Sequence, residues 1–199
     1  MPIGKKYGKI KIMDNNNDNS LIAGYLQGDE KALGVLVAKY FRRLYSFLYI
    51  LVNDQREAED LTQETFIRVW RRLKKFDQEK NFRSWLYAIA KNCAIDYLRK
   101  KQPLLFSEIE QAGPDLLDSL ADNSPLPNEK IDQLISQANL NKSLHKLPLG
   151  QRSVISLYYQ GELNFREISD ILGESINTVK SRHRRALTAL KQSLNNSNI

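Results

Sequence analysis

Apolar residues recur every three or four positions along most of this chain, which is the spacing of one face of an α-helix. The first half contains four such stretches, at about residues 20–27, 30–52, 55–75 and 84–101. Three further helices are predicted between residues 148 and 191, where capping residues and apolar periods alternate. Because the chain has only 9 Gly and 6 Pro, a turn-rich β fold is disfavoured. The pattern predicts an all-α protein.

Polar residues and prolines mark where several of these helices begin and end. Asp29 stands at the start of the second helix, and Asp54 with Glu57 three residues later forms a capping-box pattern at the start of the third. Pro103 is expected to end the fourth helix, and Pro148 to begin the first helix of the C-terminal part. These signals make the helix boundaries specific predictions.

Charge divides the chain into segments of different character. The formal net charge is +7, which favours an anionic partner such as a nucleic acid. Residues 102–140 carry seven acidic residues, one basic residue and four of the prolines, a composition typical of a linker. We therefore predict two small helical domains, at residues 19–101 and 141–199, joined by a flexible acidic linker. Residues 1–18 are predicted to be a flexible tail, or sequence upstream of a later start at Met13.

The most specific pattern is a pair of short helices joined by a tight turn within residues 164–190. Asn164 and Glu167 form a capping box at the start of the first helix. Gly173 stands where a helix ends with a positive φ, and Ser175 can cap the next helix. The arrangement predicts a helix-turn-helix, the motif that places its second helix in the major groove of DNA.

The second helix of this pair has one apolar side and one polar side. Its predicted apolar side consists of Ile176, Val179, Ala186, Leu187 and Leu190. The polar side carries hydrogen-bond donors at helical spacing, namely Asn177, Lys180, Ser181 and Arg184. From Ser175 to Lys191 inclusive, the chain carries five basic residues and no acidic residue. A helical hairpin with a merely solvated basic face is the alternative, but caps, turn and charge agree on a DNA-reading motif.

Two surfaces are predicted in the first domain. Asp60, Gln63, Glu64 and Ile67 share one face of the third helix, where they could dock a basic helix of a partner. Such acidic faces are often only solvated. The second surface interleaves rings with cations, a combination suited to single-stranded DNA, and consists of Phe76, Lys80, Asn81, Phe82, Arg83, Trp85, Tyr87, Lys91 and Asn92. The alternative is that Trp85 and Phe82 are core residues.

The residue inventory disfavours several other classes of protein. One cysteine, Cys93, cannot form an internal disulfide, and this fits a reducing cytosol. With only His145 and His183 besides, no zinc cluster is expected, and we predict neither a metal nor a cofactor. No Gly-rich phosphate loop or catalytic constellation is present, so an enzyme is not expected. No apolar run reaches the roughly 20 residues that span a bilayer, so we expect no membrane insertion.

Three segments resemble parts of one known family. The first domain contains DQREAEDLTQETFIRVWRRL and FRSWLYAIAKNCAIDYLRK, which resemble region 2 of bacterial sigma factors of the sigma-70 family. The second contains LHKLPLGQRSVISLYYQGELNFREISDILGESINTVKSRHRRALTALK, which resembles region 4. The resemblance covers about residues 20–101 and 141–194. With these two regions and a short linker, the chain resembles the extracytoplasmic-function (ECF) group.

The resemblance implies a cytoplasmic RNA polymerase subunit that directs promoter-specific initiation and helps to open the duplex. It implies that core polymerase is bound through Asp60, Leu61, Gln63, Glu64 and Phe66. The promoter minus-10 element would be recognised and melted by Phe76, Lys80, Asn81, Phe82, Arg83, Trp85, Lys91 and Asn92. The minus-35 element would be contacted by Asn177, Thr178, Lys180, Ser181, Arg184 and Arg185. An anti-sigma protein is a further partner expected of this group.

Some positions depart from the family pattern. Asn177 stands where a glycine is frequent, and Leu187 replaces a frequent arginine. His183 and Arg184 occupy positions that are often apolar or aromatic. Since Arg can pair bidentately with guanine, Arg184 and Arg185 make a G-containing minus-35 element plausible.

Two alternatives stay open from the sequence. A stand-alone helix-turn-helix regulator would dimerise and bind palindromic sites without polymerase. That alternative would leave unexplained both the acidic face of the third helix and the surface of the first domain that interleaves aromatic rings with cations. The acidic linker could thread a basic channel of the polymerase that later carries RNA, or it could be a soluble tether.

Overall fold

The structure is a computed structural model that describes residues 15–101 and 137–195. All regular structure in these two ranges is helical. The first range folds into α1 (Asn15–Leu26), α2 (Glu30–Val52), α3 (Gln55–Arg72), a 3-10 turn (Leu73–Lys75) and α4 (Phe82–Lys101). The second folds into α5 (Gln137–His145), α6 (Leu149–Tyr159), α7 (Phe165–Leu172) and α8 (Ile176–Asn195). The predicted all-α class is confirmed.

The predicted caps of the first unit, residues 15–101, are present. The Asp29 side chain accepts a hydrogen bond from the backbone N–H of Lys31 at the start of α2. The Asp54 side chain accepts from the N–H groups of Arg56 and Glu57 at the start of α3. Each cap satisfies donors that the first helical turn leaves without partners, so both helices begin where the sequence indicates.

Helix α1 differs from the prediction. It begins at Asn15 rather than near residue 20, so residues 15–18 belong to a helix and not to the predicted tail. The Asp18 side chain is fully buried and lies 2.5 Å from both Lys39 Nζ and Tyr40 Oη on α2. This tertiary ion pair anchors the helix, and its partners are 21 and 22 residues away in sequence.

The start of α4 also differs from the prediction, whereas the bounds of α6 agree with it. Helix α4 begins at Phe82, two residues before the predicted start, because the Asn81 side chain accepts from the N–H groups of Arg83 and Ser84. Helix α6 begins after Pro148 as predicted and ends at Tyr159, before Gly161. Pro103 and most of the predicted linker and tail lie outside the described residues.

The core of the first unit is built around α2, which packs against α1, α3 and α4. Its largest fully buried side chains include Tyr40, Phe47 and Tyr87. This core continues into the second unit, residues 137–195, because α2 also packs on α6 and α4 packs on α7. In the described ranges, no helix combines the length and apolar character needed to cross a membrane.

Candidate functional site

The turn between α7 and α8 has the geometry predicted for a helix-turn-helix. Asn164 and Glu167 form a reciprocal capping box, with bonds of 3.0 Å from Glu167 N to Asn164 Oδ1 and 2.8 Å from Asn164 N to Glu167 Oε2. Gly173 ends α7 with a φ of 70°, a left-handed conformation that costs glycine little. Ser175 Oγ then accepts from Thr178 N at 3.0 Å to cap α8. Every capping prediction for this motif is confirmed.

The back of α8 packs against α6 and α7 through an apolar side that includes one histidine. Val179, Ala186 and Leu190 are buried as predicted. Ile176, by contrast, is 37% exposed, because it lies in the first turn of the helix, beyond the packed surface.

His183 was not predicted to lie on this apolar side, yet it is 8% exposed. Its ring centre lies 4.8 Å from that of Tyr158 and 5.2 Å from that of Phe165. Burial among these rings lowers the pKa of the imidazole. The position was foreseeable from the helical period, since residue 183 is four residues from Val179 and three from Ala186.

The front of α8 presents the predicted donors to solvent. None of the six residues predicted to contact the minus-35 element is buried, and Asn177 and Lys180 are exposed. The turn beside this face is fixed by an ion pair of 2.7 Å between Arg182 and Glu174. A rigid turn with an exposed basic face is what major-groove binding needs. The individual contacts with DNA stay a prediction.

The predicted polymerase-binding residues of α3 divide into two kinds. Asp60 and Gln63 are exposed, whereas Leu61, Glu64 and Phe66 are half-buried. Glu64 accepts a 2.7 Å bond from Arg68, and Phe66 stacks on Phe41 with ring centres 6.4 Å apart. The polar residues are therefore accessible to a partner. Leu61 and Phe66 instead pack within the first unit.

Trp70 belongs to this face and was missed by the sequence analysis. It is 53% exposed, and Ile67 next to it is 40% exposed. Together with Leu33 and Val37 of α2 they line a shallow apolar groove. The spacing of residues 63, 67 and 70 was the available signal, since it continues the stripe by one helical turn.

Four members of the predicted aromatic-basic surface are buried. Their exposed fractions are 9% for Phe76, 1% for Phe82, 5% for Arg83 and 0% for Tyr87. Phe76, Phe82 and the half-buried Trp85 form one ring cluster, with centres 4.8 to 5.9 Å apart. The prediction that these rings form one open surface on which DNA bases stack is therefore wrong for this structure. The rings instead complete the core between α2 and α4. Phe82 is therefore a core residue, which was the alternative stated for it from the sequence.

The other members of that surface divide between solvent and the second unit. Lys80 and Asn92 are exposed. Asn81 Nδ2 donates to Glu167 Oε1 at 2.7 Å, and Lys91 Nζ donates to the Ile171 carbonyl at 3.2 Å. Packing between the two units therefore decides which of these residues are accessible, and nothing local in the sequence reports that packing.

The described residues bring no three His, Cys, Asp or Glu side chains close enough together to hold a metal ion. Cys93 is buried on the inner side of α4, and burial raises the pKa of its thiol. It is therefore placed as a core residue rather than as a reactive nucleophile.

Comparison with known proteins identifies the class to which this fold and these surfaces belong. Residues 36–103 match the family model of Sigma-70 region 2, and residues 143–192 match that of Sigma-70, region 4. The chain is 34% identical over 171 residues to the ECF RNA polymerase sigma factor SigW of Bacillus subtilis, covering 84% of this chain and 91% of that protein. SigM of the same organism is 35% identical over 156 residues, covering 76% and 88%. The chain belongs to the ECF RNA polymerase sigma factors.

Solved structures agree on the fold. CnrH, solved in complex with the cytosolic domain of CnrY, is 25% identical with a TM-score of 0.63, covering 90% of this chain and 97% of that one. RpoE of Bartonella quintana, solved with the anti-sigma factor NepR, is 24% identical with a TM-score of 0.64, covering 83% and 98%. The relatives named here are sigma factors and give no support to a stand-alone regulator.

Proposed function

We propose that this chain joins core RNA polymerase and directs it to promoters that carry a matching pair of elements. The observation that carries the proposal is the presence of both regions, in order, on one chain with an exposed basic recognition helix. The protein acts by binding and adds no catalysis of its own. Its work is done in the cytoplasm, where the polymerase is.

The polymerase-facing surface is the exposed side of α3. Asp60 and Gln63 offer acceptors to a basic partner helix, and Glu64 adds a charge that Arg68 holds in place. Ile67 and Trp70 continue the same side with exposed apolar area. A stripe that is polar at one end and apolar at the other suits one helix lying along it, since anchoring aromatics beside hydrogen bonds are typical of interface centres.

The minus-35 element is read by the front of α8. Lys180 is exposed, and Arg184 and Arg185 lie one turn further along the same helix. An arginine that pairs bidentately with guanine contributes about 1–3 kcal/mol of discrimination against other bases. The minus-10 element is recognised by α4 and the loop before it, where Lys80 and Asn92 are exposed.

A regulatory protein is proposed as a second partner. CnrH, which has the same fold over most of its length, was solved in complex with the cytosolic domain of CnrY. A protein that binds this chain and prevents it from binding polymerase would be the anti-sigma factor expected for this group.

Variants on the two exposed surfaces test the assignment by separating two steps. Arg185→Ala should weaken binding to a minus-35 duplex about tenfold or more, through loss of a base contact, and should leave polymerase binding unchanged. Gln63→Ala combined with Glu64→Ala should weaken binding to core polymerase and leave duplex binding by the free chain unchanged. Pull-down with core polymerase and fluorescence anisotropy measure the two steps. If both variants lost the same step, the assignment of surfaces would be wrong.

A further inference from the structure

The turn of the helix-turn-helix is fixed to α7 through the backbone of Glu174. Its N–H donates to the Ser169 carbonyl at 3.2 Å, and its own carbonyl accepts a 2.6 Å bond from Ser169 Oγ. The N–H of Gly173 donates to the same Ser169 carbonyl at 2.9 Å. Because both of its backbone groups are bonded, Glu174 leaves the turn in a fixed direction.

The side chain of Glu174 contacts α8 at Arg182. Glu174 Oε1 accepts a 2.7 Å bond from Arg182 Nη1, and both side chains are mostly buried. Residue 182 follows Ser181 of the polar front and comes three residues after Val179 of the buried back. Arg182 therefore stands on the flank of α8, between the face proposed to read DNA and the face that packs.

The same guanidinium lies on the start of α6. Gly150 is the second residue of that helix, and a methyl group on it would stand 2.6 Å from Arg182 Nη1 and 3.0 Å from Cζ. Outside this stretch of helix, the three atoms nearest to such a methyl group all belong to the Arg182 guanidinium. Gly150 has no positive φ, so it is the space taken by Arg182, and not the backbone conformation, that suits glycine here.

Electrostatics makes this contact depend on Glu174. The N-terminus of a helix carries a partial positive charge, so a cation placed there is repelled. Glu174 supplies the anion that offsets this repulsion at the start of α6. Through one ion pair, Arg182 of α8 is thus connected both to the turn after α7 and to the first turn of α6.

We propose that Arg182 is a positioning residue for recognition of the minus-35 element, held on Gly150 by Glu174 so that it sets the orientation of α8. The proposal rests on the proposed role of α8 in reading that element. Base contacts from Arg184 and Arg185 depend on this orientation, because hydrogen bonds to a base edge weaken steeply with distance and angle. Arg182 acts through the helix and needs no base contact of its own.

Gly150→Ala tests the proposal because it displaces the guanidinium without changing any charge. Only the end of a flexible side chain must move to admit the methyl group. Since alanine favours helix more than glycine does, the melting temperature should equal or exceed that of the wild type. Gly34→Ala in α2 is the matched control, because outside its own stretch of helix no described atom lies within 4 Å of the added methyl group.

Fluorescence anisotropy of the full chain measures recognition on two labelled duplexes. One is a duplex that the wild-type chain selects from a random pool, and the other has the same bases in shuffled order. We expect the ratio of the two affinities to fall about fivefold or more in Gly150→Ala, the effect of losing one base contact, and to stay unchanged in Gly34→Ala. Affinity for the shuffled duplex should stay constant, because it follows net charge.

Glu174→Gln, which keeps the shape of the side chain but removes the anion, should lower the same ratio. A wild-type ratio in Gly150→Ala would overturn the proposal. A lower ratio together with a lower melting temperature would also overturn it, since lost folding would explain the effect. Tighter binding of both duplexes would show that the released guanidinium binds phosphate and does not position α8. If the wild type itself fails to distinguish the duplexes, the proposed role of α8 is what fails.

Discussion

At the scale of single residues, His183 links the stability of the helix-turn-helix to pH. Burial lowers the pKa of His183, and burial followed by the charge of Arg152 lowers that of His145. Both imidazoles therefore bind protons more weakly in the folded protein than at the ordinary value of about 6.5. Below that value the unfolded chain binds more protons, so the free energy of unfolding falls as pH falls, and it is insensitive to these groups above it.

We expect the melting temperature to be lower at about pH 5 than at about pH 7.5. His183→Phe keeps a ring against Tyr158 and Phe165 but cannot titrate, so its melting temperature should depend less on pH. Thermal melts followed by circular dichroism at the two pH values measure both chains. An identical pH dependence in the wild type and His183→Phe would contradict the role given to His183.

Asp18 is the residue on which the placement of α1 depends. Its buried carboxylate holds Lys39 and Tyr40, and burial together with the Asp18 hydrogen bond raises the pKa of Tyr40. Asp18→Ala should destabilise the first unit by about 3 kcal/mol, because it leaves a mostly buried ammonium and a buried hydroxyl without this partner. Urea unfolding measures the loss.

Asp96→Ala serves as the matched control for this prediction. Asp96 is about half exposed and its pair with Arg68 is 3.7 Å long, so its loss should cost less than about 1 kcal/mol. If Asp18→Ala cost no more than Asp96→Ala, the anchoring of α1 by this ion pair would be refuted.

At the scale of helices, the capping box of α7 sets where the helix-turn-helix begins. Asn164→Ala removes the acceptor for two backbone donors and should cost about 1 kcal/mol of unfolding free energy. Asn164→Asp keeps a capping oxygen and should stay close to the wild type. Denaturant midpoints of the three chains are the measurement, and equal midpoints for Ala and Asp would count against the cap.

Helix ends were predictable because their causes are local. Asp29, Asp54 and Asn164 bond backbone groups two or three residues away, so the sequence alone identifies them. The start of α1 was not predictable in this way, because Asp18 finds its partners on another helix. A helix cap depends on a few adjacent residues, whereas a tertiary ion pair depends on residues that are distant in the sequence.

The accessibility of α4 shows the same limit. Its apolar and polar residues alternate closely around Phe82, Arg83 and Trp85, so the pattern fits either a core or a nucleic-acid surface. Tertiary packing determines which residues are accessible. The rings pack in the core against α2, and Asn81 and Lys91 form hydrogen bonds with the second unit. The recognition helix is less ambiguous, since Asn177, Lys180, Ser181 and Arg184 recur at helical spacing on one side.

At the scale of the whole molecule, the order of the two regions carries more functional information than any single site. A basic helix-turn-helix alone is shared by many regulators, and an acidic helix face alone is usually solvated. Together on one chain, and matched to regions 2 and 4, they define a protein that connects polymerase to promoter DNA.

Reconstituted transcription tests that connection most directly. Purified chain and core RNA polymerase would be incubated with genomic fragments, and run-off transcripts would be mapped to their start sites. The account predicts new transcripts that need this chain and share two upstream elements, and it predicts their loss with the Gln63→Ala, Glu64→Ala variant. Absence of polymerase binding, together with tight dimeric binding to DNA alone, would contradict it.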